Sequence, residues 1–125
     1  MSRQVPVVLV IDDEETIRES LQFYLEAQGW IVLTAASGEE GLDALERQTV
    51  DAAIVDIRLP GITGDEMIQQ AQSRHPDVKF LIFTGSMDFH ISPELLNAGL
   101  TDKDLFAKPL GDMRVLVERI ERLLA

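Results

Sequence analysis

Three carboxylates, a hydroxyl and a lysine hold the chemistry this sequence could do. Asp12 and Asp13 close the apolar run of "VVLVIDDEET", Asp56 closes "AAIVD", Thr84 closes "FLIFT" and Lys108 stands in "FAKP". Like charges repel, and a carboxylate withdrawn from water is costly unless it is paired or bound to a cation. If Asp12, Asp13 and Asp56 share one small space, one of them must take a proton unless a cation sits among them. Oxygen donors without Cys or His favour a hard cation, Mg²⁺ before Ca²⁺ or Mn²⁺. Mg²⁺ takes few carboxylates and keeps waters that an incoming phosphate can replace. With Lys108 as a mobile positive charge and Thr84 as a hydroxyl donor, the set meets the needs of phosphoryl transfer to a carboxylate. The acids that end the first apolar run would then hold the metal. Glu14 and Glu15 follow them and read differently, as structural acids at the positive end of a helix dipole.

These groups can meet only if their segments end on one rim. "VPVVLVI" reads as a strand apolar on both faces, as a parallel sheet requires. The spacing of Ile17, Leu21, Tyr24 and Leu25 predicts a helix over 14–28, with Gly29 as its stop. "WIVLTAA" is a second strand, Ser37 caps a helix carrying Leu42 and Leu45, and "VDAAIVDI" is a third strand. The loop "LPGITG" precedes a helix running to about His75, and "KFLIFTG" is the fourth strand. "SMDFH" is irregular. "SPELLNAG" predicts a short helix with Ser92 as cap, Pro93 at its first position and Gly99 as stop. "LFA" is a short fifth strand, and Asp112 caps a last helix that shows Leu116, Ile120 and Leu123 on one face. Strands alternating with helices imply an α/β fold, with right-handed crossovers about a central parallel sheet. Sites in such sheets form at the carboxyl ends of the strands, near the topological switch point.

With 125 residues and 46% hydrophobic content, residues 1–125 are expected to form one domain. No apolar run approaches the roughly 18 residues of a membrane span, and the N-terminus lacks a signal-peptide cleavage pattern. The absence of cysteine excludes disulfides and thiolate metal sites. A cytoplasmic location without membrane insertion is the expectation. The net charge of −11 argues against direct nucleic-acid binding, because phosphates would be repelled.

The motifs "VLVIDDEE", "AAIVDIRLPGITG", "FLIFTG" and "FAKP", taken together and in order, resemble the CheY-like response-regulator receiver domain of two-component signalling. The resemblance implies a flavodoxin-like doubly wound sheet of order 2-1-3-4-5 flanked by five helices. It also implies roles. Asp56 is similar to the phosphoacceptor, Asp13 to the direct Mg²⁺ ligand, and Asp12 to the acid that acts mainly through metal-bound water. The backbone carbonyl of Arg58 resembles the third protein ligand, Thr84 the switch hydroxyl and Lys108 the phosphate-binding lysine. A cis Lys108-Pro109 bond is implied as well. The partners implied are a sensor histidine kinase or phosphotransfer protein and a downstream protein target.

Taken singly, Asp56 would read as a cap or turn residue, Thr84 as an ordinary strand residue and Lys108 as a surface lysine. Only the set changes those readings. His75 reads as a solvated residue at a helix end, His90 as a residue of the irregular stretch rather than a second phosphosite, and Trp30 and Phe23 as packing residues. Two departures from the family stand out. Many receivers carry Tyr or Phe three residues before the lysine, where this chain has Leu105. Phe106 follows, and strand alternation points it to the opposite face, so it does not substitute. The stretch between Gly99 and Lys108 is also long, and the helix before it starts late, so atypical, mobile structure is expected between Ser86 and Asp104.

The leading expectation is a phosphorylation-controlled switch that is not otherwise an enzyme, either standing alone or cut from a larger protein. The alternative is a phosphorylation-independent docking or scaffold module with the same fold. An FMN carrier is disfavoured because "DDEET" would repel the cofactor phosphate where such proteins place a hydroxyl- and glycine-rich loop. A phosphatase acting on outside substrates would carry its nucleophile in an Asp-x-Asp pattern after the first strand, where this chain has Asp-Asp.

Overall fold

The computed structural model describes residues 5–86 and 88–125. The strands are β1 (Val7–Ile11), β2 (Ile31–Ala35), β3 (Ala52–Val55), β4 (Lys79–Thr84) and β5 (Leu105–Ala107). Between and after them lie the helices α1 (Glu15–Glu26), α2 (Gly38–Arg47), α3 (Gly64–Arg74), α4 (Pro93–Asn97) and α5 (Arg114–Leu124). All strand pairs are parallel, in the order β2-β1-β3-β4-β5. This is the flavodoxin-like arrangement expected.

Alternation along the strands builds a core on each face of the sheet. Val7, Leu9 and Ile11 pack with Leu45 of α2, Met67, Ile68 and Ala71 of α3, and Leu95 of α4. Val8 and Val10 pack with Leu21 and Leu25 of α1, and with Leu116, Val117 and Ile120 of α5. Leu105 and Phe106 follow the same rule: Leu105 joins the first cluster and Phe106 the second. Among the described residues, no helix is long and apolar enough to cross a membrane.

Local signals set most boundaries. The Ser37 side chain accepts the N–H of Glu40, Thr63 forms a capping box with Glu66, and Ser92 accepts the N–H of Leu95. Gly29, with φ +88°, turns the chain after α1 into a left-handed conformation that costs glycine least. α5 differs from expectation. It begins at Arg114 with Met113 at the cap position, while Asp112 stands one residue earlier and accepts the Arg114 N–H at 3.0 Å.

Phe23 also differs: it is 79% exposed rather than packed. At about 100° per residue it lies on the opposite side of α1 from Leu21 and Leu25. Trp30 does pack, against the α1 and α5 core. Between Ser86 and Asp104, Met87 lies outside the described residues. The described remainder holds the five-residue α4 and a 3₁₀ turn over Asp102–Asp104, with Leu95 and Leu100 buried in the core.

Candidate functional site

The sheet register brings the chemical groups together. Ile11 pairs with Val55, so Asp12 and Asp56 each stand one residue beyond a matched pair. Thr84 pairs with Ala107, so Lys108 leaves the sheet beside Thr84. The backbone ladder continues past the strand ends: Asp12 N–H bonds to Ala35, Asp56 N–H to Ile11 and Lys108 N–H to Thr84, at 3.1, 3.0 and 2.9 Å. The first residues beyond the strands are therefore held nearly as firmly as the strands.

Asp12, Asp56 and Thr84 are buried, at 2%, 5% and 3% exposure, and Asp13 is exposed. Asp12, Asp13 and Asp56 each offer a carboxylate oxygen within 4.8 Å of the others. The Lys108 ammonium lies among them, 2.7 Å from Asp12 Oδ2 and 3.1 Å from Asp56 Oδ2. It also stands 5.7 Å from the Phe83 ring centroid, a cation–π distance. Asp12 Oδ1 accepts the Glu14 N–H at 2.9 Å, and Thr84 Oγ1 accepts the Ser86 N–H at 3.1 Å. A cleft of about 410 Å³ opens over the group, lined by Asp13, Glu14, Asp56, Arg58, Thr84, Gly85, Ser86 and Lys108.

Burial pushes the Asp12 carboxyl above its ordinary pKa, against the opposing pull of Lys108 and the Glu14 N–H. Burial of Lys108 works against its charge, but the hydrogen bonds to Asp12, Asp56 and Glu14 outweigh it and hold its pKa above the ordinary lysine value. Lys108 is thus a standing positive charge in an acidic rim. The donor set fits a hard divalent cation: clustered carboxylate oxygens, one of them exposed, with no nitrogen or sulfur ligand in the group.

Glu14 does begin the helix as expected: it is the N-cap residue of α1, extended at φ −88° and ψ 115° as caps are, and its carbonyl accepts the Arg18 N–H at 3.1 Å. Its carboxylate meets Lys108 at 3.1 Å, whereas Glu15 lies in the first turn of α1 as expected. His75 is less solvated than expected, because its Nε2 lies 2.9 Å from Glu46. His90 is exposed ahead of α4. The Lys108-Pro109 bond is cis.

Sequence reasoning missed a third buried acid, outside the rim. Asp104, 2% exposed, accepts from Arg119 Nε at 2.7 Å and from the Thr101 N–H at 3.0 Å. Thr101 and Asp104 have the spacing of a capping box, a signal that could have found the local bond. Nothing local announces Arg119, which arrives from α5.

The family model described as the response regulator receiver domain matches residues 8–121. A CheY-like receiver domain protein from Methanospirillum hungatei JF-1 superposes with a TM-score of 0.87 and 32% identity, over 97% of this chain and 94% of its own. The response regulator TrrA of Thermotoga maritima, solved with Mg²⁺-BeF, gives 0.83 and 29%, over 96% of this chain and all of its own. The transcriptional regulatory protein AfsQ1 of Streptomyces coelicolor is 36% identical over 120 residues, which are 96% of this chain and 52% of AfsQ1. The chain spans between 19% and 54% of the length of such curated relatives.

Proposed function

The chain belongs to the response regulator receiver domain family, and on that premise we propose that its 125 residues form one receiver unit that takes a phosphoryl group on Asp56. Receiver domains are not classical enzymes, and their partners are histidine kinases. The donor here is a sensor histidine kinase or a phosphotransfer protein, and the product is read by a downstream protein target. The carrying observation is the rim itself: Lys108 bridges Asp12 and Asp56 while Asp13 stands at the open side.

In this reading an Asp56 carboxylate oxygen attacks phosphorus, a P–O bond forms, and the bond to the donor nitrogen breaks with its electron pair. Asp12, Asp13, Asp56 and the Arg58 carbonyl would hold Mg²⁺, which neutralises phosphoryl oxygens when bound; TrrA supports this by its Mg²⁺-BeF complex. Lys108 exchanges Asp56 for a phosphoryl oxygen while keeping Asp12. Thr84 donates its hydroxyl proton to the new group, its oxygen being already an acceptor from the Ser86 N–H. The added charge shifts a two-state equilibrium.

Leu105 packs on one face of β5 and Phe106 on the other, so the position that carries Tyr or Phe in many receivers carries no aromatic ring here. That departure favours a second reading, a docking module indifferent to phosphorylation. Partner binding unchanged by Asp56→Asn would support it.

Intact-mass spectrometry after incubation with acetyl phosphate tests the first reading. One phosphoryl group is expected, dependent on Mg²⁺ and absent from Asp56→Asn. No adduct and no beryllofluoride binding would overturn it.

A further inference from the structure

The loop from Arg58 to Thr63 joins β3 to α3 and begins at the lip of the cleft. Its base is closed by the Gly64 N–H, which bonds to the Ile57 carbonyl at 2.9 Å. Its middle is anchored by the buried Leu59. Its tip is held by another element. Glu39, in the first turn of α2, accepts the Ile62 N–H through Oε2 at 3.2 Å. Gly61 passes beneath the same carboxylate with φ +77°, and a Cβ there would lie 2.5 Å from Oε2. Gly38 packs against Ile62, where a Cβ would come within 2.6 Å of Cγ1.

Glu39 is free for this task. The start of α2 is satisfied by its neighbours, since Ser37 accepts the Glu40 N–H and Glu40 Oε1 accepts the Ala36 N–H. The geometry points to Glu39 as a positioning residue for the phosphoacceptor site, fixing the loop tip from α2 and so setting where Arg58 stands beside Asp56. The inference rests on the reading of Asp56 as acceptor and of the Arg58 carbonyl as a cation ligand. A loop held in place beforehand does not have to be ordered when a cation or phosphoryl group arrives, so the binding energy is not spent on it.

Glu39→Ala and Glu39→Gln test this, with three measurements on each. Hydrogen exchange of residues 58–63 in Mg²⁺-free protein reads the loop directly. Calorimetric titration with Mg²⁺ reads the site, and the urea midpoint reads global stability. Glu39→Ala is expected to speed loop exchange and weaken Mg²⁺ binding by about tenfold, at the low end for loss of a group that orients a metal ligand. Its urea midpoint should stay near that of the wild type. Glu39→Gln keeps an acceptor oxygen and should restore both losses. Wild-type Mg²⁺ affinity or loop exchange in Glu39→Ala would overturn the inference, as would equal losses in both variants that track the midpoint. Wild-type protein that binds no Mg²⁺ and takes no phosphoryl group would instead overturn the acceptor reading, and this inference with it.

Discussion

Asp12 and Lys108 make the central electrostatic compromise of the rim. Asp12 is withdrawn from water, and burial raises its pKa more than Lys108 and the Glu14 N–H lower it. The folded protein therefore holds the Asp12 proton more tightly than the unfolded chain does. The resulting stability is fully present below the ordinary pKa of about 4 and is lost as pH rises through the raised folded value. Asp12→Asn removes that dependence. In Mg²⁺-free buffer, the stability of the Asn variant relative to wild type should grow as pH rises above about 4. Urea denaturation at several pH values checks this, and a difference that shrinks with pH would contradict it. Glu14 belongs to the same balance, because it gives Lys108 a third carboxylate from the cleft mouth.

Among the elements, α3 starts directly against the Asp56 backbone. A Cβ on Gly64 would lie 2.0 Å from the Asp56 carbonyl oxygen and 2.8 Å from the Ile57 Cα, both fixed backbone atoms. Gly41 of α2 is also tight, but its Cβ would meet the movable end of Ile11, 2.6 Å from Cδ1. Gly64→Ala should therefore cost about 2 kcal/mol or more, and Gly41→Ala clearly less. Urea midpoints of the two variants decide this; equal losses would mean that the Asp56 carbonyl moves aside. α5 is tied to the turn before β5 by the Asp104–Arg119 pair, whose carboxylate is 3% exposed. Removing one member of such a pair strands a buried charge, so the pair fixes how α5 meets β5.

At the scale of the molecule, the net charge of −11 and the rim together make stability responsive to cations. A ligand that binds only the folded state stabilises it by mass action, about 2.7 kcal/mol at a hundred times its Kd. For a chain of this size that corresponds to a rise in Tm of about 10 °C. Mg²⁺ should produce such a rise in wild type, and a much smaller one in Asp13→Asn or Asp56→Asn. Calorimetric scans at matched ionic strength separate this from screening of the acidic surface. Equal rises in all three proteins would place the effect outside the rim.

The sequence by itself determined the element order and the fold. Apolar runs of strand length, helical spacing and cap residues such as Ser37 and Ser92 are local signals, and the structure uses each of them. It also singled out Asp12, Asp13, Asp56, Thr84 and Lys108, because each stands at the end of a readable strand and parallel strands end on one rim. Alternation was enough to send Leu105 and Phe106 to opposite faces. Only the tertiary structure decided the rest. Glu14 reaches Lys108 across 94 residues of chain, Asp104 finds Arg119 on a neighbouring helix, and Glu39 meets the Ile62 N–H 23 residues away. Those contacts are set by how elements pack, and no local pattern encodes the partner of a side chain that crosses from one element to another.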